Sequence, residues 1–121
     1  QNTIVVAPGA NMALGVEDVE SSLGGLLAGG GVGGEGSSKD VVLVQLEIAP
    51  ETALRSLRCG SKAGALTILN PAPAPEGWEL DDTWYSSIDI LIPNETELAS
   101  LCGIANSDDV TGEGEEAMAR A

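Results

Sequence analysis

Two kinds of segment alternate along this chain. Short runs of apolar and β-branched residues are separated by longer stretches in which apolar residues recur at helical spacing. The short runs predict β-strands at Thr3–Ala7, Val41–Leu46, Ala65–Leu69 and Ile88–Ile92. The last three runs are almost entirely apolar, which is typical of parallel strands that are covered on both faces.

The longer stretches predict helices. We expect helices over Val16–Leu27, from Pro50 to Gly60 or Gly64, over Asn94–Leu101 with Gly103 ending it, and from Asp109 or Thr111 to Arg120. Trp78–Ser87 predicts only a weak short helix or turn. Alternation of strands and helices predicts an α/β fold, with a parallel sheet and right-handed crossovers.

A glycine-rich stretch interrupts this alternation. Ser21–Ser38 holds eight glycines in eighteen positions, which predicts a break in the first helix and a flexible insertion. The stretch lacks the Gly-Lys-Ser/Thr ending of a phosphate-binding P-loop, so a linker is the favoured interpretation. We otherwise expect residues 1–121 to belong to one domain.

The composition narrows the classes of partner. The formal charge is −14, from 19 acidic and 5 basic residues, which argues against nucleic acid or an anionic membrane as a partner. A nucleotide stays open, because Mg²⁺ and backbone N–H groups can hold phosphates. Without histidine, and with Cys59 and Cys102 far apart, the usual zinc sites and Ser-His or Cys-His nucleophiles are excluded within the chain.

The cellular context and the chain ends give further expectations. Two unpatterned cysteines suit a reducing cytosol, so we expect a cytoplasmic protein whose cysteines are small buried apolar residues. No apolar run approaches the roughly 18–20 residues of a membrane span, and no signal peptide is visible. The chain starts without Met inside a predicted strand and stops inside a predicted helix, which suggests a fragment.

Polar residues follow the predicted strands at the edge where ligands bind in parallel α/β sheets. Glu47 is either a solvent-facing loop residue or an acceptor for a polyol hydroxyl, and Asn70 is best explained as a turn residue. Asn94 and Glu97 have the spacing of a helix capping box. The same pair could hold phosphate and hydrated Mg²⁺, although spacing alone favours the cap.

Four sequence blocks occur in order along the chain: Val5-Val6-Ala7-Pro8-Gly9-Ala10-Asn11, Val44-Gln45-Leu46-Glu47, Leu69-Asn70-Pro71-Ala72-Pro73-Ala74, and Pro93-Asn94-Glu95-Thr96-Glu97 with Leu101-Cys102-Gly103. Together they resemble ribokinases of the phosphofructokinase-B family of carbohydrate kinases. The resemblance covers the chain outside Ser21–Ser38 and corresponds to the central part of a ribokinase. It implies a ribokinase-like α/β sheet, incomplete in this chain.

The resemblance also implies an activity and site roles. It implies an ATP-dependent kinase that converts D-ribose to D-ribose 5-phosphate, uses Mg²⁺ and a monovalent cation such as K⁺, and forms a homodimer at full length. Glu47 matches the residue that binds sugar hydroxyls, Asn94 the residue that contacts ATP phosphates, and Glu97 the residue that organises Mg²⁺ through water. Asn11 and Asn70 fall in motifs near the site without an implied ligand contact.

The departures from the family pattern leave alternatives open. Nothing in the sequence matches the Gly-Ala-Gly-Asp motif that carries the catalytic Asp, so we expect the isolated chain to be inactive. The N-terminal sugar-binding motif, the adenine-binding segment and the cation loops are also unmatched. The alternatives are a kinase for another sugar or a nucleoside, and a truncated binding or oligomerisation module without catalysis.

Overall fold

The computed structural model of the protein describes residues 9–28, 40–75 and 78–103. The elements, in order, are a 3₁₀ helix at Gly9–Ala13, α1 at Val16–Ala28, β1 at Val41–Gln45, α2 at Pro50–Ala63, β2 at Leu66–Asn70, α3 at Asp82–Tyr85, β3 at Ile90–Leu91 and α4 at Glu95–Leu101. The strand predicted at Thr3–Ala7 and the helix predicted after Asp109 lie outside the described residues.

The strands form a parallel sheet in the order β1-β2-β3, which confirms the predicted α/β class. Val41 pairs with Leu66 and Gln45 pairs with Asn70, while Ile68 pairs with Ile90 on the other side of β2. Each described strand therefore ends at the same edge of the sheet. A predicted ligand site at that edge is compatible with this topology.

Helix α2 packs closely on one face of the sheet. Pro50 occupies the start of the helix, and Gly64 ends it with φ of 77°, a left-handed conformation that suits glycine. Gly60 lies inside the helix against Val42 and Thr67, so the earlier predicted end at Gly60 is not the one observed. The core beneath α2 consists of Val42, Val44, Leu46, Ala53, Leu57, Ala65, Leu69, Leu80 and Trp84.

The opposite face of the sheet is exposed among the described residues, contrary to the expectation of two covered faces. Val41 and Leu43 on β1 are 55% and 61% exposed, whereas the alternating Val42 and Val44 are buried. Ile90 and Ile92 near β3 are also exposed. The apolar runs indicated covered faces correctly only for the side that α2 occupies.

Two predicted boundaries need correction. Helix α1 at Val16–Ala28 agrees with the predicted helix at Val16–Leu27, so the flexible insertion predicted to begin at Ser21 does not begin there. The strand predicted at Ile88–Ile92 is reduced to Ile90–Leu91. The late start of β3 is explained by Asp89. Its carboxylate Oδ2 accepts hydrogen bonds from the backbone amide and the hydroxyl of Thr67 at 2.8 and 2.9 Å, so a side chain occupies this position in place of the strand backbone.

Helix α1 packs mainly against α2. The Thr52 hydroxyl donates to the Leu14 carbonyl oxygen at 3.1 Å, and Arg55 pairs with Glu20 at 3.1 Å. Leu26 near the end of α1 is exposed. None of the helices within the described ranges is long and apolar enough to cross a membrane.

Candidate functional site

The sequence-predicted site residues gather at the carboxyl edge of the sheet. Glu47 comes just after β1, Asn70 is the last residue of β2, and Asn94 follows β3. Because β2 lies between the other two strands, the chain segments that carry Glu47 and Asn94 leave strands about 10 Å apart, which is two inter-strand spacings. Residues at this edge can therefore contact two neighbouring groups of one extended ligand.

Glu47 lines the larger of two cavities described among these residues, which runs along β1 and α1. The side chain is exposed, and the cavity measures about 500 Å³. This volume falls within the roughly 300–1,000 Å³ typical of small-molecule sites. Apolar side chains from α1 and β1 form much of the wall, and the polar lining residues are Asn11, Asp18, Ser22, Gln45, Glu47 and Ser56.

Asn94 and Glu97 form a complete capping box at the start of α4. The Glu97 amide donates to Asn94 Oδ1 at 2.8 Å, and the Asn94 amide donates to Glu97 Oε2 at 2.8 Å. Glu97 is only 8% exposed, so its carboxylate is held in a defined position. The capping interpretation is confirmed by this geometry. A phosphate or magnesium role for the same pair stays a prediction.

Asn94 and Glu97 also line a second cavity, of about 270 Å³. Its other lining residues are Pro73, Ala74, Thr96 and Ser100. Sequence reasoning did not select Thr96 or Ser100 as site residues. The sequence spacing could have indicated Ser100, because it lies about one helical turn after Glu97 and therefore on the same side of α4.

The proline-rich segment after β2 contacts the end of β1 and lines the cavity of Asn94 and Glu97. The Leu46 amide donates to the Ala72 carbonyl oxygen at 3.0 Å, which holds the turn before Glu47 against this segment. Pro73 and Ala74 then line the cavity of Asn94 and Glu97. The segment thus contacts the residue before Glu47 and lines the cavity of Asn94 and Glu97. Asn70 is the last residue of β2 and is half-buried. It is not among the described residues that line either cavity.

A directly ligated metal centre is not formed by the described residues, among which no group of three or more His, Cys, Asp or Glu side chains comes together. Glu97 can nevertheless fit a hydrated magnesium ion. One carboxylate oxygen serves the cap, and a carboxylate has further lone pairs for water. Mg²⁺ commonly keeps several waters and uses one or two carboxylates together with phosphate oxygens.

Sequence comparison finds relatives over most of the chain. Ribokinase from Mus musculus is 36% identical over 118 residues, covering 98% of this chain and 32% of that protein. Deoxyribokinase from Salmonella typhi is 34% identical over 103 residues, covering 85% of this chain and 30% of that protein. No family model matches the chain.

Structural comparison gives a consistent result. Arabidopsis thaliana ribokinase, solved in complex with ribose and ATP, matches with a TM-score of 0.59 and 28% sequence identity. The match covers 99% of this chain and 34% of the Arabidopsis chain. The chain therefore spans about a third of the length of these three relatives.

The parallel sheet and its flanking helices define the class as the ribokinase-like α/β fold. Within this class the chain is a homologue of the ribokinases and corresponds to about a third of their length. The resemblance that the four sequence blocks indicated is thereby confirmed.

Proposed function

We propose that the protein containing this chain is an ATP-dependent ribokinase that converts D-ribose to D-ribose 5-phosphate. In the reaction the sugar O5 hydroxyl attacks the γ-phosphorus, the bond to the ADP oxygen breaks, and the hydroxyl proton is released. The supporting observation is that Glu47 and the Asn94–Glu97 pair lie at one sheet edge in the ribokinase motif order. The relatives named ribokinase support the same sugar-kinase class.

Each candidate residue has a proposed role in this reaction. Glu47 would accept hydrogen bonds from sugar hydroxyls in the larger cavity. Asn94 would donate its side-chain amide to ATP phosphate oxygens in the smaller cavity, and Glu97 would orient waters of a bound Mg²⁺. Bound Mg²⁺ would supply neutralisation of the phosphate charge that develops during transfer.

The proposal extends to the cellular setting and the assembly. We expect a cytoplasmic enzyme that also uses a monovalent cation such as K⁺ and that forms a homodimer at full length. The isolated 121-residue chain should lack kinase activity, because it contains no match to the motif that carries the catalytic base. An in-line transfer needs both a base on the sugar hydroxyl and donors on the transferred phosphoryl group.

A substrate screen on the full-length protein tests the proposal. ADP release would be measured with ribose, 2-deoxyribose, fructose and adenosine, and ribose should give the highest kcat/KM. Deoxyribokinases among the relatives make 2-deoxyribose the second candidate. No ATP-dependent phosphorylation of any of these substrates would contradict the sugar-kinase proposal, and ribose-dependent ADP release by the isolated chain would contradict its expected inactivity.

A further inference from the structure

Among the polar side chains that line the larger cavity is a carboxamide, Asn11, that the motif resemblance did not assign to the ligand. Asn11 lines the same cavity as Glu47, although it comes from the 3₁₀ helix at the beginning of the described chain. Both side chains are exposed, so their polar atoms are accessible to a bound molecule. The fold thus brings a carboxylate and a carboxamide from distant parts of the sequence to one concave surface.

A buried hydrogen bond holds the Asn11 segment in place. Thr52 is 1% exposed, and its hydroxyl donates to the Leu14 carbonyl oxygen across 38 positions of sequence. Leu14 follows Asn11 by less than one helical turn, and its amide donates to the Asn11 carbonyl oxygen at 3.4 Å. Thr52 lies in the first turn of α2, shortly after Glu47. One hydroxyl therefore connects the two segments that carry the polar side chains.

The chemistry of the pair suits a polyol. A hydroxyl group both donates and accepts a hydrogen bond, whereas an ionised carboxylate only accepts. A carboxamide has two N–H donors and one acceptor oxygen, so Asn11 supplies the donors that Glu47 lacks. Asp18 also lines the cavity, but its Oδ2 accepts from the Gly15 amide at 2.9 Å and stabilises the start of α1.

We propose that Asn11 binds sugar hydroxyls together with Glu47, and that Thr52 is the positioning residue that keeps Asn11 at the cavity. This inference rests on the proposed sugar-kinase function. It adds a substrate-binding residue from a different element of the fold, and a buried residue that acts on substrate binding without contacting the substrate.

Steady-state kinetics of full-length Asn11→Ala test the binding role. We expect the KM for ribose to rise roughly tenfold, as is usual for the loss of one or two polar contacts to a ligand. Asn11 is exposed, and its side chain forms no hydrogen bond with the residues that the structure describes, so the melting temperature, the KM for ATP and kcat should change little. Met12→Ala is the matched control, because Met12 is exposed in the same 3₁₀ helix and does not line the cavity among the described residues.

Thr52→Val and Thr52→Ser test the positioning role. Valine retains the branched shape but removes the donor, and serine retains the donor. We expect Thr52→Val to raise the KM for ribose severalfold at an unchanged KM for ATP, and Thr52→Ser to restore most of the affinity. A lower melting temperature with an unchanged ribose KM in Thr52→Val would show a purely structural role and overturn this part of the proposal.

Glu47→Gln separates failure of this inference from failure of the proposed function. If Glu47→Gln weakens ribose binding while Asn11→Ala behaves like wild type, the Asn11 assignment is wrong and the sugar kinase stands. If the wild-type protein phosphorylates no sugar, calorimetric titration with ribose replaces the kinetics. Absence of ribose binding to the wild type would then overturn both proposals.

Discussion

Glu97 is a helix-capping residue and also a candidate ligand for hydrated magnesium, and its geometry separates the two roles. The cap uses one carboxylate oxygen as an acceptor for the Asn94 amide. An amide oxygen can accept the same bond, whereas only the carboxylate carries the charge that attracts a cation. Substitutions that preserve or remove the acceptor therefore report on different functions of one side chain.

Glu97→Gln in the full-length protein should weaken the dependence of activity on Mg²⁺ more than the affinity for ribose. The melting temperature should change little, because the glutamine oxygen can still accept from the Asn94 amide. The measurement is a magnesium titration of ADP release, together with thermal unfolding.

Asn94→Ala is the control for loss of the cap, which is expected to cost about 1 kcal/mol of unfolding free energy. If the magnesium titration of Glu97→Gln is the same as that of wild type, Glu97 acts only as a cap. The second cavity would then need another residue to interact with a metal-bound phosphate.

The elements of the fold depend on small residues where a helix meets the sheet. Gly60 lies in the last part of α2, directly over β1 and β2. A Cβ atom at this position would lie 2.8 Å from Val42 Cγ2 and 3.1 Å from Thr67 Cγ2. Alanine has the higher helix propensity, but close contact with a packed core is the larger effect at such a position.

Gly60→Ala should destabilise the full-length protein by about 1–3 kcal/mol, the usual cost of overpacking a core. Gly24→Ala in α1 is the matched control, since a Cβ atom there would have no neighbour within 4 Å. The control should stabilise the same protein by about 0.5–1 kcal/mol, because glycine inside a helix is entropically unfavourable. Urea unfolding measures both changes, and equal effects of the two substitutions would contradict the close packing of α2 on the sheet.

The sheet as a whole has one covered and one exposed face in the described parts of the chain. The exposed face includes Val41, Leu43, Ile90 and Ile92, which lie on the edge strands β1 and β3 or next to β3. Contiguous apolar surface of this kind favours association between molecules. We therefore expect the isolated 121-residue chain to be marginally stable or prone to aggregation.

Leu43→Thr should reduce aggregation of the 121-residue chain with little effect on its melting temperature. Leu43 is 61% exposed, so its replacement removes apolar surface without disturbing the core. Val44→Thr is the matched control on the buried face, where Val44 is 6% exposed and a buried hydroxyl costs about 1–3 kcal/mol. Light scattering and thermal unfolding give the two readouts, and equal destabilisation by both substitutions would show that the Leu43 face is covered.

Particular elements show how far sequence patterns predict this fold. The start of α2 at Pro50 and the Asn94–Glu97 cap were predicted because proline geometry and capping are local interactions. The length of β3 was not predicted correctly. The Asp89 carboxylate accepts a hydrogen bond from the Thr67 amide of the neighbouring strand, and Ile88 lies outside the ladder of paired residues. The end of α2 was ambiguous for a similar reason. Gly60 allows the helix to pack closely on the sheet, whereas Gly64 adopts the left-handed conformation that ends the helix.

The sequence by itself determined the α/β class, the kinase family resemblance and the identities of Glu47, Asn94 and Glu97 as candidates. These features depend on local periodicity, capping and motif order, all of which can be identified from the order of residues along the chain. Only the tertiary structure decided that Asn11 lines the cavity of Glu47, that Thr96 and Ser100 line that of Glu97, and that one sheet face is exposed. Those features depend on contacts between segments that are distant in sequence. The residue pattern of one segment does not specify which other segment packs against it.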